Sequence, residues 1–203
     1  MPWIDDWLPT WQFDEVHHIR SRASPAALLD AAAAYDPSND RWISVALAVR
    51  EAPGRLASGL GLVSALASRS RFGLADFVAL GRQGDEALAY GLAGRFWEPG
   101  YGLQPLADAA AFTAFAEPGA VKLLLAFEAR REPAGAEDGD GEGDSSTTRL
   151  TTVTRVLCTD DAARRRLLPY WAVIRPVSGL IRRRILADIQ RAAEAADDAA
   201  AGG

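Results

Sequence analysis

The chain has 203 residues, of which 49% are hydrophobic and 24% charged, and a formal net charge of −5. This is an ordinary globular composition, long enough to bury a substantial core in one domain. The single Cys158 excludes an intramolecular disulfide and a cysteine-built zinc cluster, no apolar run is long enough to span a bilayer, and the acidic balance argues against nucleic acid as a partner.

Residues 1–10 carry Trp3 and Trp7 among Asp and Pro. They predict a loose arm that pins one or two indoles onto the domain surface. The segment lacks a basic start and an apolar core, so it does not read as a signal peptide, and the cytoplasm is the default location. The domain itself is expected over 11–195.

Trp11–Arg22 predicts the first strand. Alternation places Trp11, Phe13, Glu15, His17 and Ile19 on one face and Gln12, Asp14, Val16, His18 and Arg20 on the other. A carboxylate and an imidazole thus share a mostly apolar face. Ser24-Pro25 opens a helix, with Ser as N-cap and Pro at the first helical position, running through Tyr35. A second helix is expected over Asp40–Glu51. Leu56–Ser68 is apolar and rich in small residues, and two glycines leave it open between helix and other structure.

Strands follow. Phe72–Leu80 and Ala87–Trp97 read as a hairpin around Arg82–Asp85. Gly91-Leu92-Ala93-Gly94, inside the second strand, predicts a bend or bulge. Asp108–Ala116 is either a strand or a short helix. Glu117-Pro118-Gly119 is a turn, and Val121–Arg130 is a strand. Residues 132–146 alternate Asp or Glu with Gly. Counted from Asp138, the twelfth position of a calcium loop is Arg149 rather than Glu, so a flexible acidic loop is expected. Thr147–Cys158 is the last strand, rich in Thr and Val.

Thr159–Glu194 reads as one long amphipathic helix with Thr159 as N-cap. Pro176 predicts a kink or break near Arg175–Ser178. Leu167, Leu168, Trp171, Ile174, Val177, Leu180, Ile181, Ile185 and Ile189 keep close to helical spacing. Arg164–Arg166, Arg175, Arg182–Arg184 and Arg191 fall opposite and read as a solvated face. Residues 196–203 are expected to be a disordered tail.

With two His, one Cys and no H-E-x-x-H pattern, neither a metal site nor a cofactor is expected. No nucleophile-elbow or phosphate-loop pattern is present.

The layout of strand, helices, antiparallel strands and a long last helix resembles the helix-grip α+β fold. The chain is similar to the START, pollen-allergen and polyketide-cyclase-like superfamily, SRPBCC, and to a bacterial group within it. Phe13–Leu28, Tyr90–Trp97, Phe115–Arg130 and Arg149–Arg183 carry the resemblance. The group's acidic residue and His, two apart on the first strand, match Glu15 and His17. Its Thr-Glu-Thr-Arg on the last strand stands here as Thr152-Val153-Thr154-Arg155, with Val in place of Glu. The resemblance implies a curved sheet gripping the last helix around a ligand-holding cavity, without implying a reaction.

The leading expectation is therefore a binder of a small apolar or aromatic molecule, with no membrane partner. Glu15, His17, Arg95, Trp97, Arg155 and Tyr170 are the candidate ligand-binding residues, and no catalytic residue is assigned. Glu15 and His17 form either an acid–base pair or a structural contact. Arg155 is an anion binder, an exposed rung, or a buried ion-pair partner of Glu15. Trp97 walls a pocket or fills the core, and Tyr170 faces a cavity or flanks the helix. Two alternatives are a cyclase- or dehydratase-like enzyme using His17 and Arg155, and a non-catalytic protein-interaction module.

Overall fold

β4 (Val121–Glu132) and β5 (Thr147–Cys158) are buried along almost their whole length. A strand reads this way when both faces of its sheet are covered. The computed structural model describes residues 2–36, 76–133 and 147–202, and these show an α+β arrangement. Five antiparallel strands lie in the order β1-β5-β4-β3-β2, with β1 at Phe13–Ser21, β2 at Val78–Gln83 and β3 at Ala87–Gly94. Three helices are α1 (Pro2–Trp7), α2 (Pro25–Ala33) and α3 (Ala109–Ala114), and the long C-terminal helix α4 is Asp161–Ala201.

One face, here the inner one, packs on α2 and α4. Leu28, Leu29, Leu125, Phe127, Leu150, Leu186 and Ile189 form its larger core. The outer face is covered by α1 and α3, through Ile4, Leu8 and Phe112 against Leu80, Ala89, Leu124, Ala126 and Val153. Residues 2–7 are thus a docked helix and not a loose arm. Ile4 is wholly buried, and so heavily apolar a segment has a face of the sheet to cover.

Ser24 caps α2 as its sequence predicts, its hydroxyl accepting from the Ala27 N–H at 3.2 Å. Asp108 caps α3 in the same way at 2.7 Å, which makes that segment helical rather than extended. At α4 the cap is Asp160, not Thr159. Its carboxylate accepts from the N–H groups of Ala163 and Gly119, both at 2.7 Å, and negative charge suits this helix end. Thr159 instead exchanges hydrogen bonds with the Ala120 backbone beyond the β4–β5 ladder.

Two further expectations are corrected. α4 runs unbroken through Pro169 and Pro176, both on its exposed side, where water can meet the carbonyls that the prolines leave without an N–H. It also continues to Ala201 rather than fraying after residue 195. Asp197 accepts from the Ser24 N–H at 2.7 Å, Asp198 from Arg22 at 2.6 Å, and Glu194 from the Ser21 hydroxyl at 2.8 Å. These bonds tie the helix end to the β1–α2 corner.

No bulge occurs at Gly91–Gly94, where β3 keeps register with β4 throughout. The shift lies in β2, between Ala79 and Gly81. Gly91 is glycine for space: a Cβ there would stand 2.5 Å from Cδ2 of Phe112. The expected helix at 40–51, the segment 56–68 and the acidic loop at 134–146 lie outside the described residues.

Candidate functional site

Strand register sorts the inner face into cross-strand rows. The Phe13, Val156, Leu123 and Leu92 row is apolar, and so is the Ile19, Leu150 and Ala129 row. Two mixed rows lie between them. One runs Glu15, Thr154, Leu125, Tyr90, and the other runs His17, Thr152, Phe127, Leu88. A polar quartet on β1 and β5 therefore adjoins an apolar and aromatic wall on β4 and β3.

α4 passes above this quartet along a stretch that buries little of its own apolar surface. Between Ile174 and Leu186 none of its apolar side chains is fully buried. Gly179 lies over His17: a Cβ at that position would be 3.5 Å from the imidazole Cε1. Arg175 reaches from the helix toward Glu15, with Nε 3.8 Å from Oε1. Phe13 and Trp171 meet at one end of the quartet, ring centroids 5.4 Å apart.

Three neighbouring polar atoms here are buried without a hydrogen bond: Glu15 Oε2, His17 Nε2 and Thr152 Oγ1. Each such atom costs about 1–3 kcal/mol relative to a paired one. Burial holds the His17 imidazole below its ordinary value of 6.5. The Glu15 carboxylate opposes that shift, while Arg183 and Arg182 reinforce it. At neutral pH the ring is uncharged, and Nε2 can donate or accept according to its tautomer. Burial also raises the Tyr90 phenol, which stays protonated.

Of the six predicted site residues, the structure brings Glu15 and His17 together. Trp97 and Tyr170, like Phe13, Tyr101 and Trp171, pack against the Leu92, Val156 and Leu167 core at the Phe13 end of the inner face. Arg95 is a loop brace, its Nε donating to the Gly119 carbonyl at 3.1 Å.

Arg155 is on the opposite face. Its neighbour Thr154 is level with Glu15, so alternation turns the guanidinium outward, beneath α1. There Nη1 donates to Asp5 at 2.5 Å and to the Leu8 carbonyl at 3.3 Å, and the guanidinium carbon lies 3.7 Å from the centre of the Trp11 ring. The partner of Arg155 is Asp5 rather than Glu15, and His17 and Arg155 cannot act on one molecule. Val153 faces outward as well, so a Glu at that position would not reach the quartet.

Sequence reasoning missed Thr152 and Gly179 beside His17, Thr154 and Arg175 beside Glu15, and Tyr90 further along the Glu15 row. The two threonines carried a signal, alternating with Val153 and Arg155 and flanked on the inner side by Leu150 and Val156. Gly179 carried none, because its role depends on where α4 crosses the sheet. Among the described residues no group of three His, Cys, Asp or Glu could hold a metal ion. No described helix is long and apolar enough to cross a membrane.

The chain matches no protein-family description, no curated protein and no solved structure.

Proposed function

We propose that the chain is a helix-grip protein of the SRPBCC type that binds a small apolar or aromatic molecule between its sheet and α4. The sheet order and the long helix across its inner face support the fold reading. The observation that carries the binding reading is the set of three adjacent buried polar atoms lacking partners, Glu15 Oε2, His17 Nε2 and Thr152 Oγ1. A ligand with a hydroxyl, phenol or amide would satisfy them together, while Leu88, Tyr90, Leu125 and Phe127 take its apolar body. The carboxylate accepts, the neutral imidazole donates or accepts, and the threonine hydroxyl does either.

The enzyme alternative loses its second member, because Arg155 is committed to Asp5 on the other face. The test is native mass spectrometry of freshly purified protein, followed by denaturing extraction. A co-purifying small molecule that is lost from the Thr152→Val and Glu15→Gln variants supports the reading. If nothing co-purifies, and a panel of small phenols and aromatic alcohols neither raises the Tm nor binds saturably, the reading fails.

A further inference from the structure

The solvent side of α4 has an order of its own. Pro169, Val173, Pro176 and Leu180 recur at i, i+4, i+7 and i+11, so they form one stripe along the helix. All four are exposed, Val173 and Leu180 each at 67%, and Leu168 beside them at 55%. Only Trp11 and Val16 are other large hydrophobics so exposed among the described residues, and they lie elsewhere. The stripe spans about 16 Å of helix.

Arginines bracket it. Arg165 and Arg166 precede it and Arg183 and Arg184 follow it, all exposed. Between Asp161 and Asp188 there are seven arginines and no Asp or Glu. The rest of the chain carries 15 basic residues against 27 acidic ones. The charge of the protein is thus divided, with a strongly positive stretch surrounding the longest exposed apolar stripe among the described residues.

We infer that this face of α4 docks on an anionic lipid bilayer surface. Such a helix lies in the interface plane, its apolar stripe among the upper acyl chains and its arginines at the phosphates. Arg suits the position because its aliphatic stem follows the apolar boundary while the guanidinium stays with the headgroups. The match is electrostatic and apolar at once. A nucleic acid would meet the arginines but leave Val173 and Leu180 without a role. A second copy of the same face would set arginines against arginines. Docking needs no membrane-crossing helix, so the absence of one among the described residues bears only on spanning. It goes beyond the sequence-based expectation of no membrane partner, which rested on the lack of a spanning segment.

The test is flotation of the whole chain with phosphatidylcholine vesicles, with and without phosphatidylserine. Binding to the phosphatidylserine vesicles is expected, weakening as salt rises. The Val173→Asp/Leu180→Asp and Arg166→Glu/Arg183→Glu double variants are each expected to weaken it by at least about tenfold. Circular dichroism and Tm confirm that each variant is folded, since all four positions face solvent. The proposal is overturned if the phosphatidylserine vesicles do not float the protein at low salt. It is equally overturned if only the arginine variant matters, which marks a polyanion site, or if a folded variant binds as the parent does.

Discussion

Gly179 on α4 and His17 on β1 face each other so closely that a methyl group on residue 179 would stand 3.5 Å from Cε1 and 3.7 Å from Nε2 of the imidazole. Those are ordinary contact distances, so alanine fits and a larger side chain does not. Gly179→Ala is expected to stabilise the fold by up to about 1 kcal/mol, because glycine costs that much inside a helix. Gly179→Leu enters the space of the ring and is expected to cost roughly 1–3 kcal/mol. Urea unfolding of the two variants checks the contrast.

The His17 ring is expected to titrate below 6.5, since burial disfavours its charged form. Removing the Glu15 charge in Glu15→Gln takes away the one influence raising it, so the midpoint falls further. The sign for stability follows from linkage. The unfolded chain binds this proton at a higher pH than the folded one. Stability is therefore full above about 6.5 and declines as pH falls from there toward the folded midpoint. Proton NMR of the imidazole across pH reads the midpoint, and His17→Gln should flatten the decline.

Asp5 holds α1 to the sheet through a guanidinium whose side chain is 8% exposed. The hydrogen bond from Arg155 lowers the Asp5 carboxyl below its ordinary 3.8. Asp5→Asn is expected to cost about 1 kcal/mol, a value reduced by the 41% exposure of the Asp5 side chain. The contribution of a depressed carboxyl is present above its unfolded value and is lost as pH falls through the folded one. The gap between parent and Asp5→Asn in denaturant unfolding should thus be open at neutral pH and close below pH 3.8.

At Gly91 there is no room. An added Cβ meets Phe112 at 2.5 Å and Leu80 at 2.9 Å, so Gly91→Ala forces α3 away from β3. A loss of roughly 1–3 kcal/mol is expected. Adding Phe112→Leu should recover part of the loss, which a double-mutant cycle would show as coupling.

The legible parts of this chain were those whose geometry is local. The period-two alternation from Phe13 to Ile19 assigned Glu15 and His17 to one face, and Ser24-Pro25 marked a helix start that the structure keeps. Distance defeated the rest. The partner of Arg155 is 150 residues away in a helix that composition made look like a loose arm. Gly91 resembled a strand defect because nothing nearby announces the ring of Phe112 above it. Pro176 suggested a break, but a proline on the wet side of a helix leaves its neighbouring carbonyl to water rather than to a void. Thr159 and Asp160 are both competent caps, and the strand end at Ala120 claims the first.

Among the described residues β1 pairs only with β5, and α1 lies partly over β5. During synthesis α1 and β1 are therefore made well before the strand they pack on. At about 5–20 residues per second, the ribosome needs roughly 10–30 s to travel from Asp5 to Arg155. For that interval Trp3, Ile4, Trp7 and Leu8 lack the sheet face that later buries them. Closure of the domain becomes a late, long-range event, slow for the same reason that non-local strand pairing is slow.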